Sequence, residues 1–180
     1  FHWLLVTSFI VAYVSNWAGV SYFTYHLWSG YFVVILVGFR ILWGIFGTHH
    51  AQFANFVRHP LESLRYAKHL ATNKAKSYPG HNPLGALMVL LLLTVMLIQA
   101  VTGLFANDEI FNVGPLYGYI SNELSLQLTG IHKDLFYWIL AAVGVHVGAV
   151  LFYVFVKREN LIKAMITGKK PRHGFEGARS

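Results

Sequence analysis

Four histidines lie in or at the ends of long apolar segments of this 180-residue sequence: His2, His26, His132 and His146. An ionisable side chain inside a membrane-spanning segment is costly and usually has a function. Neutral imidazole is a natural axial ligand for haem iron, and buried histidines also relay protons. These four residues are therefore the first candidates for chemistry.

The sequence contains no cysteine. This excludes disulfides, thiolate zinc sites, iron–sulfur clusters and haem attached through a Cys-x-x-Cys-His motif. A metal must bind through histidine, carboxylate or methionine. The other histidines fall between the apolar segments or after them, where interfacial positions are more common than ligands: His49, His50, His59, His69, His81 and His173. His81 is the main rival ligand, because it stands just before the third apolar segment.

Composition indicates an integral membrane protein. Hydrophobic residues make up 56% of the chain and charged residues 12%, with a mean hydropathy of +0.50. A soluble domain of this size carries far more charge. The net charge of +7 could indicate nucleic-acid binding, but that needs a solvated basic domain, which this chain lacks. We therefore predict contact with membrane lipid and no nucleic-acid partner.

The apolar segments predict an all-α, integral membrane four-helix bundle that forms a single domain over residues 1–180. The spans are expected at about 1–14, 25–46, 83–105 and 133–156, since a helix needs roughly 20 apolar residues to cross a bilayer. Pro83 suits the first turn of a helix. The first span is short and begins at Phe1 without a methionine, so we expect further residues upstream.

Charge predicts the orientation of these spans. The inner loop at 47–82 and the tail at 157–180 are rich in lysine and arginine, whereas the outer loop at 106–131 carries Asp108, Glu109 and Glu123 with no base. The positive-inside rule then places both termini in the cytoplasm. Within the inner loop, the segment from Pro60 to Lys74 predicts a basic helix that lies on the membrane surface or simply connects two spans. Its shared face holds Leu61, Leu64, Ala67, Lys68 and Ala71.

Depth in the membrane pairs the four histidines. His132 and His146 are fourteen residues apart on one helix, which returns them to nearly the same face about 21 Å apart along the axis. With the predicted topology, His2 lies at the depth of His146 and His26 at the depth of His132. Each pair would then hold one iron from two sides. The alternative is four unrelated polar residues bonded to helix carbonyls.

Small residues and one arginine accompany these pairs. Small residues lie beside the ligands and would leave room for a flat macrocycle, although ordinary helix packing also explains them: Gly30, Ala142, Gly144, Gly148 and Ala149. Arg40, fourteen residues after His26, is expected either to pair with a propionate of the inner haem or to snorkel as a topology anchor.

At these residues the chain resembles the bacterial cytochrome b561 family and the related b-type cytochrome subunits of nickel–iron hydrogenases. The resemblance rests on HWLL at His2, HLWSGYFVVILVGFRILWGIFG from His26 and HKDLFYWILAAVGVHVGAVLFY from His132. The segments GHNPLGALMV, QAVTGLF and FANDEI add to it. It implies two non-covalent, bis-histidine b haems, with His2 and His146 at the inner one and His26 and His132 at the outer one. It also implies exchange with quinone in the membrane and a redox partner at the outer surface.

The resulting hypothesis is electron transfer across the bacterial cytoplasmic (inner) membrane, as in a respiratory chain. Electrons would pass between the quinone pool and a periplasmic partner, with a soluble c-type cytochrome as the first candidate. No residue is predicted to be catalytic. Alternatives are the membrane anchor of a hydrogenase, a superoxide or ferric oxidoreductase, a proton-relaying transporter and an assembly subunit without a cofactor. Assembly into a homo-oligomer remains open.

Overall fold

Helices are the dominant secondary structure of the residues that the computed structural model describes, which are 1–49, 51–57, 59–72, 82–110 and 112–167. The helices are α1 (His2–Trp17), α2 (Phe23–Phe46), α3 (Phe53–Phe56), α4 (Pro60–Ala71), α5 (Pro83–Leu104), α6 (Asn122–Phe155) and α7 (Leu161–Thr167). In these ranges, extended pairing is limited to one isolated bridge between Asn107 and Val113. The all-α prediction is confirmed.

Three helical segments of the described chain are long and apolar enough to cross a membrane. They are Val20–Phe46, Pro83–Leu104 and Asn122–Phe155, and they confirm the prediction of a multi-pass membrane protein. Helix α1 has 16 residues, whereas a spanning helix needs about 17–25. The four-span bundle with both termini in the cytoplasm therefore stays a prediction.

Two serine side chains of α1 are buried. Ser8 and Ser15 are seven residues apart, and their hydroxyls donate to the carbonyls of Leu4 and Val11 within the same helix. A hydroxyl that is hydrogen-bonded within its own helix presents little polar surface to a neighbouring helix. Small side chains such as serine also allow membrane helices to approach closely. Helix α1 packs along α2, so its backbone lies near the functional residues of α2.

Helix α6 is much longer than a membrane crossing requires. Its 34 residues correspond to about 51 Å at 1.5 Å per residue, against a hydrocarbon core of about 30 Å. It begins at Asn122, well before the start of the predicted span at 133, because Ser121 accepts a hydrogen bond from the Leu124 amide and caps a polar first turn. Hydropathy marks where a helix crosses the membrane, and not where it begins.

The outer loop packs against this early part of α6. The Ser125 hydroxyl donates to the Phe105 carbonyl at 2.7 Å, and the Asn107 amide donates to the Thr129 hydroxyl at 2.9 Å. The loop and the first turns of α6 thus form one small unit, which we call the outer cap (residues 105–131). It covers the end of the bundle where His26 and His132 lie.

An apolar core cluster lies between the two levels of histidines and borders the level of His26 and His132. It consists of Val33, Val37, Met96, Ala100 and Ile139, and Val37 and Ile139 are completely buried. Ile139 is seven residues from both His132 and His146. A tightly packed apolar layer therefore separates the level of His26 and His132 from the level of His2 and His146.

The amphipathic helix predicted in the inner loop is confirmed as α4. Its buried face carries Ser63 and Tyr66, whose hydroxyls bond the Pro83 carbonyl at 3.2 Å and the Tyr153 hydroxyl at 3.0 Å. The face with Leu61 and Leu64 points away from the bundle, and these side chains are 57% and 67% exposed. That orientation is compatible with the predicted position on a membrane surface.

Candidate functional site

The structure brings the four histidines together in two pairs. The ring centroids of His2 and His146 are 6.2 Å apart, and those of His26 and His132 are also 6.2 Å apart. The rings of the first pair are inclined by 44° and those of the second by 82°. The partners are those that membrane depth predicts.

The common separation has the length of a metal-bridged pair. A first-row metal binds an imidazole nitrogen at about 2.0 Å, and that nitrogen lies about 1.2 Å from the centre of a five-membered ring with ordinary C–N bonds. Two imidazoles on opposite sides of one ion therefore have centroids about 6.4 Å apart. Both observed pairs agree with this value to within a few tenths of an ångström.

A backbone carbonyl of α1 fixes the tautomer of His26. Its Nδ1 lies 2.9 Å from the Ala12 carbonyl oxygen, which can only accept, so Nδ1 carries the proton and donates it. The lone pair of the neutral ring is then on Nε2. This is the arrangement that orients a metal-binding histidine and raises its basicity.

The tautomer of His132 is fixed in the same way by α5. Its Nδ1 donates to the Gln99 carbonyl at 2.8 Å and lies 3.3 Å from the Thr102 hydroxyl, whose own proton is given to carbonyls within α5. The carboxamide nitrogen of Gln99 lies 3.2 Å from His132 Nε2 and donates to its lone pair. A metal at Nε2 would replace that bond, and Gln99 would turn away.

Helix α5 carries no histidine among its described residues, but it positions one. A Cβ at Gly103 would lie 2.8 Å from Cε1 of His132 and 3.2 Å from its Nδ1. Only glycine therefore lets the backbone approach the ring so closely. The Oε1 atom of Gln99 is buried here without a hydrogen-bond partner, which marks the site as polar and incompletely satisfied.

A cavity of about 620 Å³ contains both His26 and His132. Aromatic rings form one side of it, with Phe136 stacked on Tyr13 at 5.2 Å and on Phe9 at 6.2 Å. Gly30 lines the cavity too, and a Cβ built there would have no atom within 4 Å. The volume falls in the range of cofactor sites, about 300–1,000 Å³. A flat, largely apolar macrocycle fits this space between the two imidazoles.

The inner pair consists of His2, the first residue of α1, and His146, in the second half of α6. The Nδ1 atom of His2 is buried without a hydrogen-bond partner. Arg40 lies at the inner part of α2, with its guanidinium carbon 4.8 Å from the centre of the Phe53 ring. Its Nη1 atom is buried without a partner. Phe53 reaches Arg40 because its ring packs directly on Gly44, where there is no room for a Cβ.

The remaining histidines do not join these pairs where the structure describes them. His59 precedes α4 and accepts a bond from the Leu61 amide, and His69 is exposed. The rival ligand His81 lies outside the described residues. Within the described ranges, no group of three or more histidine or acidic side chains has metal-site geometry. A haem iron needs only two axial ligands from the protein.

Comparison with known proteins identifies the family of this chain. The family model described as prokaryotic cytochrome b561 matches residues 1–168. The chain therefore belongs to the prokaryotic cytochrome b561 family, and the predicted resemblance is confirmed. The family indicates b-type haem and electron transfer across a membrane. A search of curated proteins and a search of solved structures each found no match.

Several residues of the site were not found from the sequence. Gln99 had a visible signal, since it is an amide within a long apolar run and such residues usually have a task in a membrane. Gly103 and Lys133, which also lines the cavity, had weaker signals, because neither stands out from its neighbours. The Ala12 carbonyl had none, since every residue has a carbonyl.

Proposed function

We propose that the chain carries electrons across the bacterial inner membrane through two non-covalent b haems. His26 and His132 would hold the outer haem, and His2 and His146 the inner one. The main support is that two histidine pairs, at two levels of the bundle, have the same ring-centroid separation of 6.2 Å. This distance matches that of two imidazoles bound to one metal.

The residues themselves suit electron transfer better than substrate chemistry. Bound haem supplies an iron that gains and loses one electron at a potential set by its ligands and surroundings. With two imidazoles held towards each haem, a bound haem would have no free ligand position for a substrate. The Ala12 and Gln99 carbonyls hold the outer imidazoles in one orientation, so little rearrangement accompanies a change of charge.

Arg40 is proposed to bind a propionate of the inner haem. A guanidinium stacked on Phe53, with one nitrogen buried and unpaired, has donors available for a carboxylate. A snorkelling anchor would instead place that group in contact with water or headgroups. The buried Nη1 therefore favours the propionate role over the anchor.

The apolar layer around Ile139 supports an electron carrier over a proton-relaying transporter. A relay needs a chain of titratable groups or water. The buried residues of the described chain include no carboxylate, and those at the middle level, Val37 and Ile139, are fully enclosed. Electrons tunnel through such a layer, whereas its described side chains, Val37 and Ile139, cannot carry a proton.

The partners are proposed from chemistry at the two ends. The outer cavity reaches the outer cap at Asp108 and Asn112, so the outer haem would lie near the periplasmic surface. The cap exposes Ile110 and Tyr119 beside acidic residues, a surface suited to a basic, soluble c-type cytochrome. The quinone pool would exchange electrons at the inner haem. Recovery of hydrogenase subunits on this cap would instead favour the hydrogenase anchor.

Single histidine replacements test the ligand assignment. Purified His26→Ala and His132→Ala variants are each expected to lose the outer haem. The His2→Ala and His146→Ala variants are each expected to lose the inner haem. His69→Ala, at an exposed histidine, is the matched control and should keep both. Retention of both haems after a ligand replacement, or loss of different haems within one pair, would contradict the assignment.

A further inference from the structure

One lysine lies in the wall of the outer cavity. Lys133 follows His132 directly on α6 and lines the cavity that holds both outer histidines. It forms no ion pair or hydrogen bond with the described part of the chain. Among the lining residues it is the one cationic side chain that the structure describes. An unpaired cation beside a largely apolar cavity invites an anionic ligand.

The acidic residue of the same wall does not serve as that partner. Asp108 Oδ1 accepts the amides of Ile110 and Asn112, both at 2.9 Å, and its Oδ2 accepts the Asn112 side-chain amide at 2.8 Å. Its carboxylate is thus held by donors of its own loop. The positive charge of Lys133 is left for something that enters the cavity.

Polarity varies along the cavity in a way that would orient a ligand. The wall nearest the outer cap contains Lys133 with the amides of Asn16 and Asn112, whereas Val33, Met96 and Leu140 form the wall towards the middle of the bundle. A macrocycle with carboxylates on one edge has its lowest energy with that edge at the polar, cationic end.

We propose that Lys133 binds a propionate carboxylate of the outer haem and so fixes that haem with its anionic edge towards the outer cap. The inference rests on the proposed function and extends it. Each haem site would then have one cationic residue, Arg40 at the inner site and Lys133 at the outer one. Lys133 is a positioning residue, and it also favours the reduced state electrostatically.

A phospholipid phosphate at the outer membrane surface would be another anion for Lys133. The cavity wall argues for the haem, because Asn112, Val113 and Gly114 of the outer cap line the same space. Lipid headgroups approach from the periphery of the protein, whereas both imidazoles line this space. The choice of membrane mimetic separates the two anions experimentally.

The test compares Lys133→Gln, which keeps the length of the side chain, with Lys133→Arg, which keeps its charge. Lys163→Gln on α7 is the control at a lysine remote from the cavity. Redox titrations of the purified two-haem protein in neutral detergent, and in bilayers with anionic lipid, give the potential of each haem. The outer haem is identified as the component missing in His26→Ala.

Lys133→Gln is expected to keep both haems and to lower the potential of the outer one alone, since a cation stabilises the reduced state. Loss of the outer haem to a haem-scavenging apoprotein should become roughly fivefold to tenfold faster, as for one partly exposed charge-assisted hydrogen bond. Lys133→Arg and Lys163→Gln should match the wild type. These shifts should appear equally in detergent and in bilayers.

If the potential of the outer haem is the same in Lys133→Gln as in the wild type, the assignment is overturned. A shift of that potential seen only with anionic lipid would also overturn it, because it would identify a lipid phosphate as the anion. A wild-type chain without haem would overturn the proposed function and this assignment together. A two-haem chain whose outer haem is insensitive to Lys133 would overturn the assignment alone.

Discussion

Replacing Gly103 with alanine tests whether α5 positions the outer histidine pair. A Cβ at this position would lie 2.8 Å from Cε1 of His132. Carbon atoms in ordinary contact are at least 3.4 Å apart, so the ring must retreat by about 0.6 Å. The same movement stretches the bond from His132 Nδ1 to the Gln99 carbonyl from 2.8 Å towards about 3.4 Å, beyond a good hydrogen bond.

The energetic effect follows from three contributions. Overpacking costs about 1–3 kcal/mol, and weakening one hydrogen bond costs about 0.5–1.5 kcal/mol. Alanine offsets about 0.5–1 kcal/mol of this, because it favours a helix over glycine. The net loss of about 1–3.5 kcal/mol corresponds to an outer haem that is bound roughly 5- to 400-fold more weakly.

The assay is retention of each haem by purified protein during transfer to a haem-scavenging apoprotein, followed by visible spectroscopy. Gly130→Ala is the matched control, since it also replaces a helical glycine near His132 but its Cβ would have no atom within 4 Å. Gly103→Ala should release the outer haem faster than the wild type does, and the inner haem at the wild-type rate. Outer haem release at the same rate in both variants would refute the positioning of His132 by Gly103.

Three further perturbations test the role of Arg40, the apolar layer and the attachment of α4. Arg40→Gln should lower the potential of the inner haem alone in a redox titration, because it removes a cation from a carboxylate; an unchanged inner potential would argue against propionate binding. Ile139→Ala should lower the unfolding free energy of the holoprotein by about 2–5 kcal/mol, measured by thermal or denaturant unfolding; an unchanged stability would contradict the fully packed layer. Tyr153→Phe removes the hydroxyl that bonds Asn82 and Tyr66, so hydrogen exchange in α4 should become faster; unchanged exchange would mean that the hydroxyl does not hold α4.

The histidine pairing was predictable from the sequence because regular helices convert spacing into depth. Fourteen residues between His132 and His146 fix both a face and a separation, and loop charge predicts the direction of each span. Only rotation of each helix about its axis was left open. The structure supplies that rotation and places the partners in contact distance.

What the sequence did not predict depends on close approach between helices. The role of Gly103 exists only because the His132 ring lies against it, and no local pattern signals such a contact. The early start of α6 was missed because its polar first turns resemble a loop until Ser125 and Thr129 are seen to bond the outer cap.

The buried face of α4 was hidden for a similar reason. Its most apolar residues, Leu61 and Leu64, point away from the bundle, while Ser63 and Tyr66 are buried in it. Polar residues become interior when they find partners in another segment, such as Tyr153 for Tyr66. Hydrophobic periodicity detects the amphipathic helix, but it does not tell which face meets protein and which meets the membrane.

The central claim is that each chain binds two b haems through four histidines. A reduced-minus-oxidised visible spectrum of the purified protein, with haem extracted and quantified per chain, tests it most directly. We expect two non-covalent b haems per chain, both low-spin. One haem would contradict one of the histidine pairs, and no haem would contradict the proposed function as a whole.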